Sequence, residues 1–175
     1  KHHSKELLLI EEESSVIVNT GFTDSWSAAV GDTIFHEVTV YIEFRILVDA
    51  YTTNTWRINI GLVDATMIEP SYGDFDPNGE CKYVGAGHSR CFVAGMGALC
   101  ADGPENTPYG REFGYGDTIG ISLNFKKKKI EYFVNGTSMG KKVQPASLLE
   151  LNTPVRAAVS ITGTGTEIQA WYKQE

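Results

Sequence analysis

One stretch constrains the fold more than any other: DTIGISLNFKKKKIEYFVNG, from Asp117 to Gly136. Ile121, Leu123 and Phe125 alternate with Ser122 and Asn124, four lysines follow (Lys126 to Lys129), and Ile130, Tyr132 and Val134 alternate with Glu131 and Phe133. A period of two places successive side chains on opposite faces, which is a strand pattern and not a helical one. Asn135-Gly136 then supplies both positive-φ positions of a type I′ turn, so a third strand starts at Thr137 with Val134 facing Thr137, Tyr132 facing Met139 and Ile130 facing Lys141. Taking Lys126 to Lys129 as a four-residue loop sets Phe125 opposite Ile130, Leu123 opposite Tyr132 and Ile121 opposite Val134. Every pair is then apolar on both strands, and a one-residue slip would send the whole set to solvent.

This register brings Lys141 and Lys142 beside the lysine tip, gathering six lysines at one end. An acidic partner or a phospholipid surface is one reading of that cluster. The simpler one is a solvated turn that guards a strand end, because the chain carries a net charge of −7, Glu131 is close by, and no arginine or aromatic residue interleaves the lysines.

The same alternation recurs along the chain. Val38, Val40, Ile42, Phe44 and Ile46 share one face of a strand, Trp56, Ile58, Ile60 and Leu62 another, and Val155, Ala157, Val159 and Ile161 a third. Further strands are expected at 7–10, 15–19, 91–95 and 166–172. The only helical candidate is PASLLEL at 145–151, long enough for one or two turns. Strands broken by Gly, Asp, Asn and Pro, without crossover helices, predict an all-β fold: an antiparallel two-sheet sandwich or jelly roll. The glycine-rich stretch 65–116 reads as long loops with short strands inside one domain spanning 1–175.

The 175 residues suffice for one hydrophobic core. A net charge of −7 repels a phosphate backbone, so nucleic acid is not an expected partner. No apolar run approaches the roughly 20 residues of a membrane span, and no membrane partner is expected. Cys81, Cys91 and Cys100 form an odd set without paired spacing, which favours reduced thiols and a cytoplasmic or nuclear location. With His88 they give C-x6-H-x2-C-x8-C, unlike the paired spacings of zinc sites, so no metal is expected.

Three stretches in order resemble a SPRY domain, the protein-interaction sandwich of the concanavalin-like architecture: HEVTVYIEFRI (36–46), RINIGLVDA (57–65) and GDTIGISLNFKKKKIEYFVNGTSMG (116–140). The last, with its Gly-Asp start, Ile-Gly step, Phe-bearing strand and Asn-Gly turn, is the most specific. TPVRAAVSITGTGTEIQ (153–169) is similar to the family's closing pair of strands, so the likeness spans roughly 30–172, with strands at 7–19 packing on that core. Family members often carry aromatic residues where this chain has Met96, Leu99 and Cys100. The resemblance implies a non-enzymatic module without cofactor, a monomeric domain that can form part of a larger chain, binding a peptide or loop of a partner protein through loops at one edge. The matching positions are TDSWSAA (23–29), CADG (100–103) and TGTG (162–165), giving Asp24, Ser25, Trp26, Cys100, Asp102, Thr162, Gly163 and Thr164 as candidate contacts. Trp26 and Tyr51, aromatic residues in polar surroundings, are the candidate anchors, with packing at the core's edge as the other reading of each.

Catalytic patterns are weak. Jelly-roll glycosidases place paired carboxylates two to four residues apart on a strand, whereas Glu37 and Glu43 are six apart. Asp74 and Asp76 fit a Pro-Asn-Gly turn better than a calcium loop, GAGHSR (85–90) leads into no helix, and His88-Ser89 lacks an orienting acid. Asn135-Gly136-Thr137 spells a glycosylation sequon that the hairpin turn already explains. The alternative to protein recognition is a lectin-like, carbohydrate-binding sandwich in which Trp26, Tyr51 or Tyr109 stacks on a sugar ring.

Overall fold

The structure is a computed structural model, and it describes residues 2–3, 7–12, 14–19, 27–48, 58–65, 90–95, 97–101, 106–140, 153–161 and 165–174. Among them the chain is all-β. The strands in order are β1 (His2–His3), β2 (Leu7–Glu12), β3 (Ser14–Asn19), β4 (Ser27–Val30), β5 (Thr39–Val48), β6 (Ile58–Asp64) and β7 (Arg90–Ala94). They continue with β8 (Ala98–Ala101), β9 (Asn106–Pro108), β10 (Thr118–Asn124), β11 (Lys129–Val134), β12 (Thr137–Ser138), β13 (Val155–Ile161) and β14 (Glu167–Gln174). Two antiparallel sheets result, ordered β1-β4-β13-β6-β7-β8-β9 and β12-β11-β10-β5-β14-β3-β2. The strands at 7–10, 15–19, 91–95 and 166–172 are all present, whereas the helical candidate at 145–151 and Trp56 lie outside the described residues.

The core lies between the sheets and follows the alternation. Val40, Ile42, Phe44 and Ile46 of β5 and Ile119, Ile121 and Leu123 of β10 meet Ile58, Ile60 and Leu62 of β6 and Val155, Val159 and Ile161 of β13, all buried. Each such side chain contributes about 1.5–3 kcal/mol relative to exposure. β6 departs from simple alternation because its outward-facing Val63 and Asn59 are buried as well.

The β10–β11 hairpin corrects the sequence reading by two residues. Ile121 pairs with Tyr132, Leu123 with Ile130 and Asn124 with Lys129, so the loop is Phe125 to Lys128 and Lys129 already belongs to β11. Two local features fix this closure. The Asn124 side-chain oxygen accepts the Lys127 amide at 2.8 Å, and Lys128 takes a left-handed φ of 48°, its amide donating to the Phe125 carbonyl at 3.0 Å. A shift of two leaves every side chain on its expected face. Accordingly Ile130, Tyr132 and Val134 are buried, and Glu131 and Phe133 are only half-buried. The second turn follows expectation: Asn135 and Gly136 have φ of 50° and 75°, Val134 pairs with Thr137, and the Met139 amide donates to the Tyr132 carbonyl at 2.8 Å. Lys141 and Lys142 lie outside the described residues.

Candidate interaction surface

Antiparallel strands give the sandwich two ends with different contents. At one, the β4–β5 connection (31–38) meets the lysine tip, with the Phe125 amide donating to the Val38 carbonyl at 3.3 Å and Phe35 bridging Val155. Arg156 ties this end together, donating to the carbonyls of Ala65, Gly31 and Asp32 at 3.1, 3.1 and 2.9 Å.

The opposite end is closed by residues 109–117, which run from β9 in one sheet to β10 in the other. The Tyr109 amide donates to the Gly97 carbonyl at 2.6 Å and that of Phe113 to Gly95 at 2.8 Å, while the Gly95 amide reaches Ile58 at 2.8 Å. On the far side the Gly116 amide donates to Ile46 and the Ile46 amide to Asp117, each at 3.0 Å. Phe113 is buried and plugs the core, whereas Tyr115, at the apex, is 67% exposed. The Asp117 carboxylate holds this apex: Oδ2 accepts the Gly114 amide at 3.0 Å and Oδ1 accepts Asn135 Nδ2 at 2.7 Å. Asn135 Oδ1 in turn accepts the Thr118 amide at 2.8 Å, so the sequon asparagine is committed to the turn at both ends of its amide.

Most candidate contacts inferred from the sequence (Asp24, Ser25, Trp26, Tyr51, Asp102, Thr162, Gly163 and Thr164) lie outside the described residues. The strands that flank them are described. Ser27 pairs with Ile161, and Ile161 also pairs with Ile58. The chain therefore enters β4, enters β6 and leaves β13 at the same end of one sheet, the end that Tyr115 caps. Cys100 is different. It sits within β8 opposite Phe92, and not in the expected turn, because Gly97 (φ 73°) reverses the chain and sets Ala94 against Ala98. From there β8 runs toward the lysine end, away from the other candidates. Cys91 faces Ala101, so Cys91 and Cys100 are not cross-strand partners.

The outer face of the second sheet holds a row that sequence reasoning missed. Phe133, Gly120, Glu43 and Trp171 are directly in register across β11, β10, β5 and β14. Tyr41 lies across Gly120, where a Cβ would collide with its phenol ring, and meets Phe133 edge-on at 5.9 Å. Trp171 Nε1 donates to Glu43 Oε2 at 2.7 Å. The visible signal was the Ile-Gly step at Ile119-Gly120: a glycine in mid-strand marks a close approach. Burial, then the neighbouring Glu43 charge, raise the Tyr41 phenol above its usual pKa.

The two carboxylates weighed from the sequence, Glu37 and Glu43, are not brought together as a pair. Glu37 lies outside β5 in a left-handed conformation (φ 55°) at the lysine end, while Glu43 accepts from Trp171 on the outer face. Tyr109, one of the three candidate sugar-stacking rings, packs edge-on against the buried Tyr132 at 6.2 Å.

No family model matches the chain, and no curated protein does either. Solved structures match over nearly the whole length. A human SPRY domain superposes with a TM-score of 0.66 at 17% identity, covering 97% of this chain and 96% of its own. The SPRY domain of human HERC1 gives 0.65 at 13% identity, covering 95% and 94%. A lectin from Bauhinia forficata in complex with GalNAc gives 0.59 at 11%, covering 97% and 93%. The molecule is thus a concanavalin-like β-sandwich. Within that class it has the fold of SPRY domains, as the three sequence stretches indicated.

Proposed function

We propose that this chain is a non-enzymatic protein-interaction module that binds a short peptide or loop of a partner through the end of the sandwich capped by residues 109–117. The observation that carries this reading is the register that brings the termini of β4, β6 and β13 to one end of a SPRY-type fold. Loops on a rigid sandwich can vary without disturbing the core, which suits them to recognition. Trp26, immediately before β4, is the proposed anchor, with Asp24, Ser25, Tyr51, Thr162, Gly163 and Thr164 around it. The strand carrying Cys100, β8, runs away from that end. The module is proposed to act as a monomeric domain in the cytoplasm or nucleus.

Affinity capture from lysate with the wild type and Trp26→Ala, followed by mass spectrometry, tests the reading. A protein retained by the wild type and lost by the folded variant is the expected result; equal retention removes Trp26 from the site. A glycan array separates the lectin alternative, and selective sugar binding there would displace protein recognition.

A further inference from the structure

Two of the three large hydrophobic side chains exposed among the described residues sit together at the lysine end, opposite the proposed peptide site. Ile34 is 52% exposed and Tyr172 50%, and they flank the buried Phe35, whose ring meets Tyr172 edge-on at 5.4 Å. The segment carrying Ile34 and Phe35 runs directly beside the hairpin tip, for the His36 ring meets Phe125 edge-on at 6.0 Å and the Phe125 amide donates to the Val38 carbonyl at 3.3 Å. Beyond Phe125 come Lys126, Lys127 and Lys128, all exposed, with no ion-pair partner among the described residues; Lys129, by contrast, is paired with Glu131 at 2.5 Å. Apolar area and unpaired positive charge therefore adjoin, on a molecule whose net charge is −7.

We propose that this end is a second docking surface, and that it takes an acidic protein segment whose carboxylates meet Lys126 to Lys128 while a large apolar side chain covers Ile34 and Tyr172. Charge complementarity selects the occupant. Among the described residues, three lysines at this end lack an ion-pair partner, fewer than the clusters of four or more that hold proteins on anionic bilayers. Asp32 and Glu37, exposed on the same connection, would also face a bilayer's negative headgroups, whereas a peptide can place its acids at the lysine tip alone.

Panning a phage-displayed library of random peptides on the whole chain tests this, with sedimentation of phosphatidylserine vesicles as a parallel arm. The expected peptides join Asp or Glu to a large apolar residue and bind more weakly as salt rises. Their binding falls roughly tenfold or more in the combined Lys126→Ser, Lys127→Ser, Lys128→Ser variant and again in Ile34→Ser, and survives Trp26→Ala. All four positions are exposed, and thermal unfolding checks that the variants fold. Peptides indifferent to the lysine change or to Ile34→Ser overturn the proposal. So does vesicle binding that needs the lysines when no acidic peptide is enriched.

Discussion

Tyr41 and Asn135 each do something that their residue type alone would not reveal. Tyr41 lies over Gly120 next to Glu43, and both its burial and that carboxylate disfavour the phenolate. A folded-state pKa above the unfolded value means this contribution to stability is complete below about pH 10 and is lost as pH rises through the raised value. Titrating tyrosine absorbance should show a late-ionising component that Tyr41→Phe diminishes, and the same substitution should flatten the alkaline loss of stability. Asn135 combines a left-handed backbone with two side-chain bonds. Asn135→Ala should cost about 2 kcal/mol by denaturant unfolding, and Asn135→Gly, which keeps the backbone relaxed and loses only the bonds, about 1 kcal/mol. The positive φ at Asn135 was legible from the Asn-Gly pair. Its reach to Asp117 was not, since that contact joins residues 18 apart through folding of the hairpin.

At the scale of the strand, the face of each residue was legible and the partner was not. Period two fixes which side chains enter the core, but sliding β11 along β10 by two residues keeps that property, so alternation cannot tell Tyr132 against Leu123 from Tyr132 against Ile121. The loop settles it, through the Asn124 cap and the left-handed Lys128, neither of which has a strong signature in a run of lysines. In the observed register Ile121 and Tyr132 form a pair that does not exchange hydrogen bonds, because Tyr132 turns its carbonyl toward Met139. A strong Hα–Hα nuclear Overhauser effect is expected between Ile121 and Tyr132, and none between Leu123 and Tyr132. The strands that escaped the sequence reading were β1, β4, β8 and β9, of two to four residues each, too short for a period to show.

For the whole molecule, the sandwich and its SPRY likeness were legible because long alternating strands and two hairpin turns leave few other solutions. The division of the surface into two ends was not, because it depends on which distant strands become neighbours: β13 joins β4 to β6, and this collects at one end segments that lie far apart in the chain. The same long-range pairing governs how the fold is reached. β14 follows every other strand in sequence, yet it sits in the interior of its sheet, between β5 and β3. Until it arrives, the β2–β3 hairpin has no seat and Ile46 and Phe44 lack their neighbours Ile168 and Ala170. A chain ending before Glu167 should therefore fail to give the dispersed amide spectrum of a packed sandwich. During synthesis β2 and β3 emerge long before β14, the strand that seats them, which makes early exposure of this hairpin to proteases and chaperones a built-in stage of this protein's life.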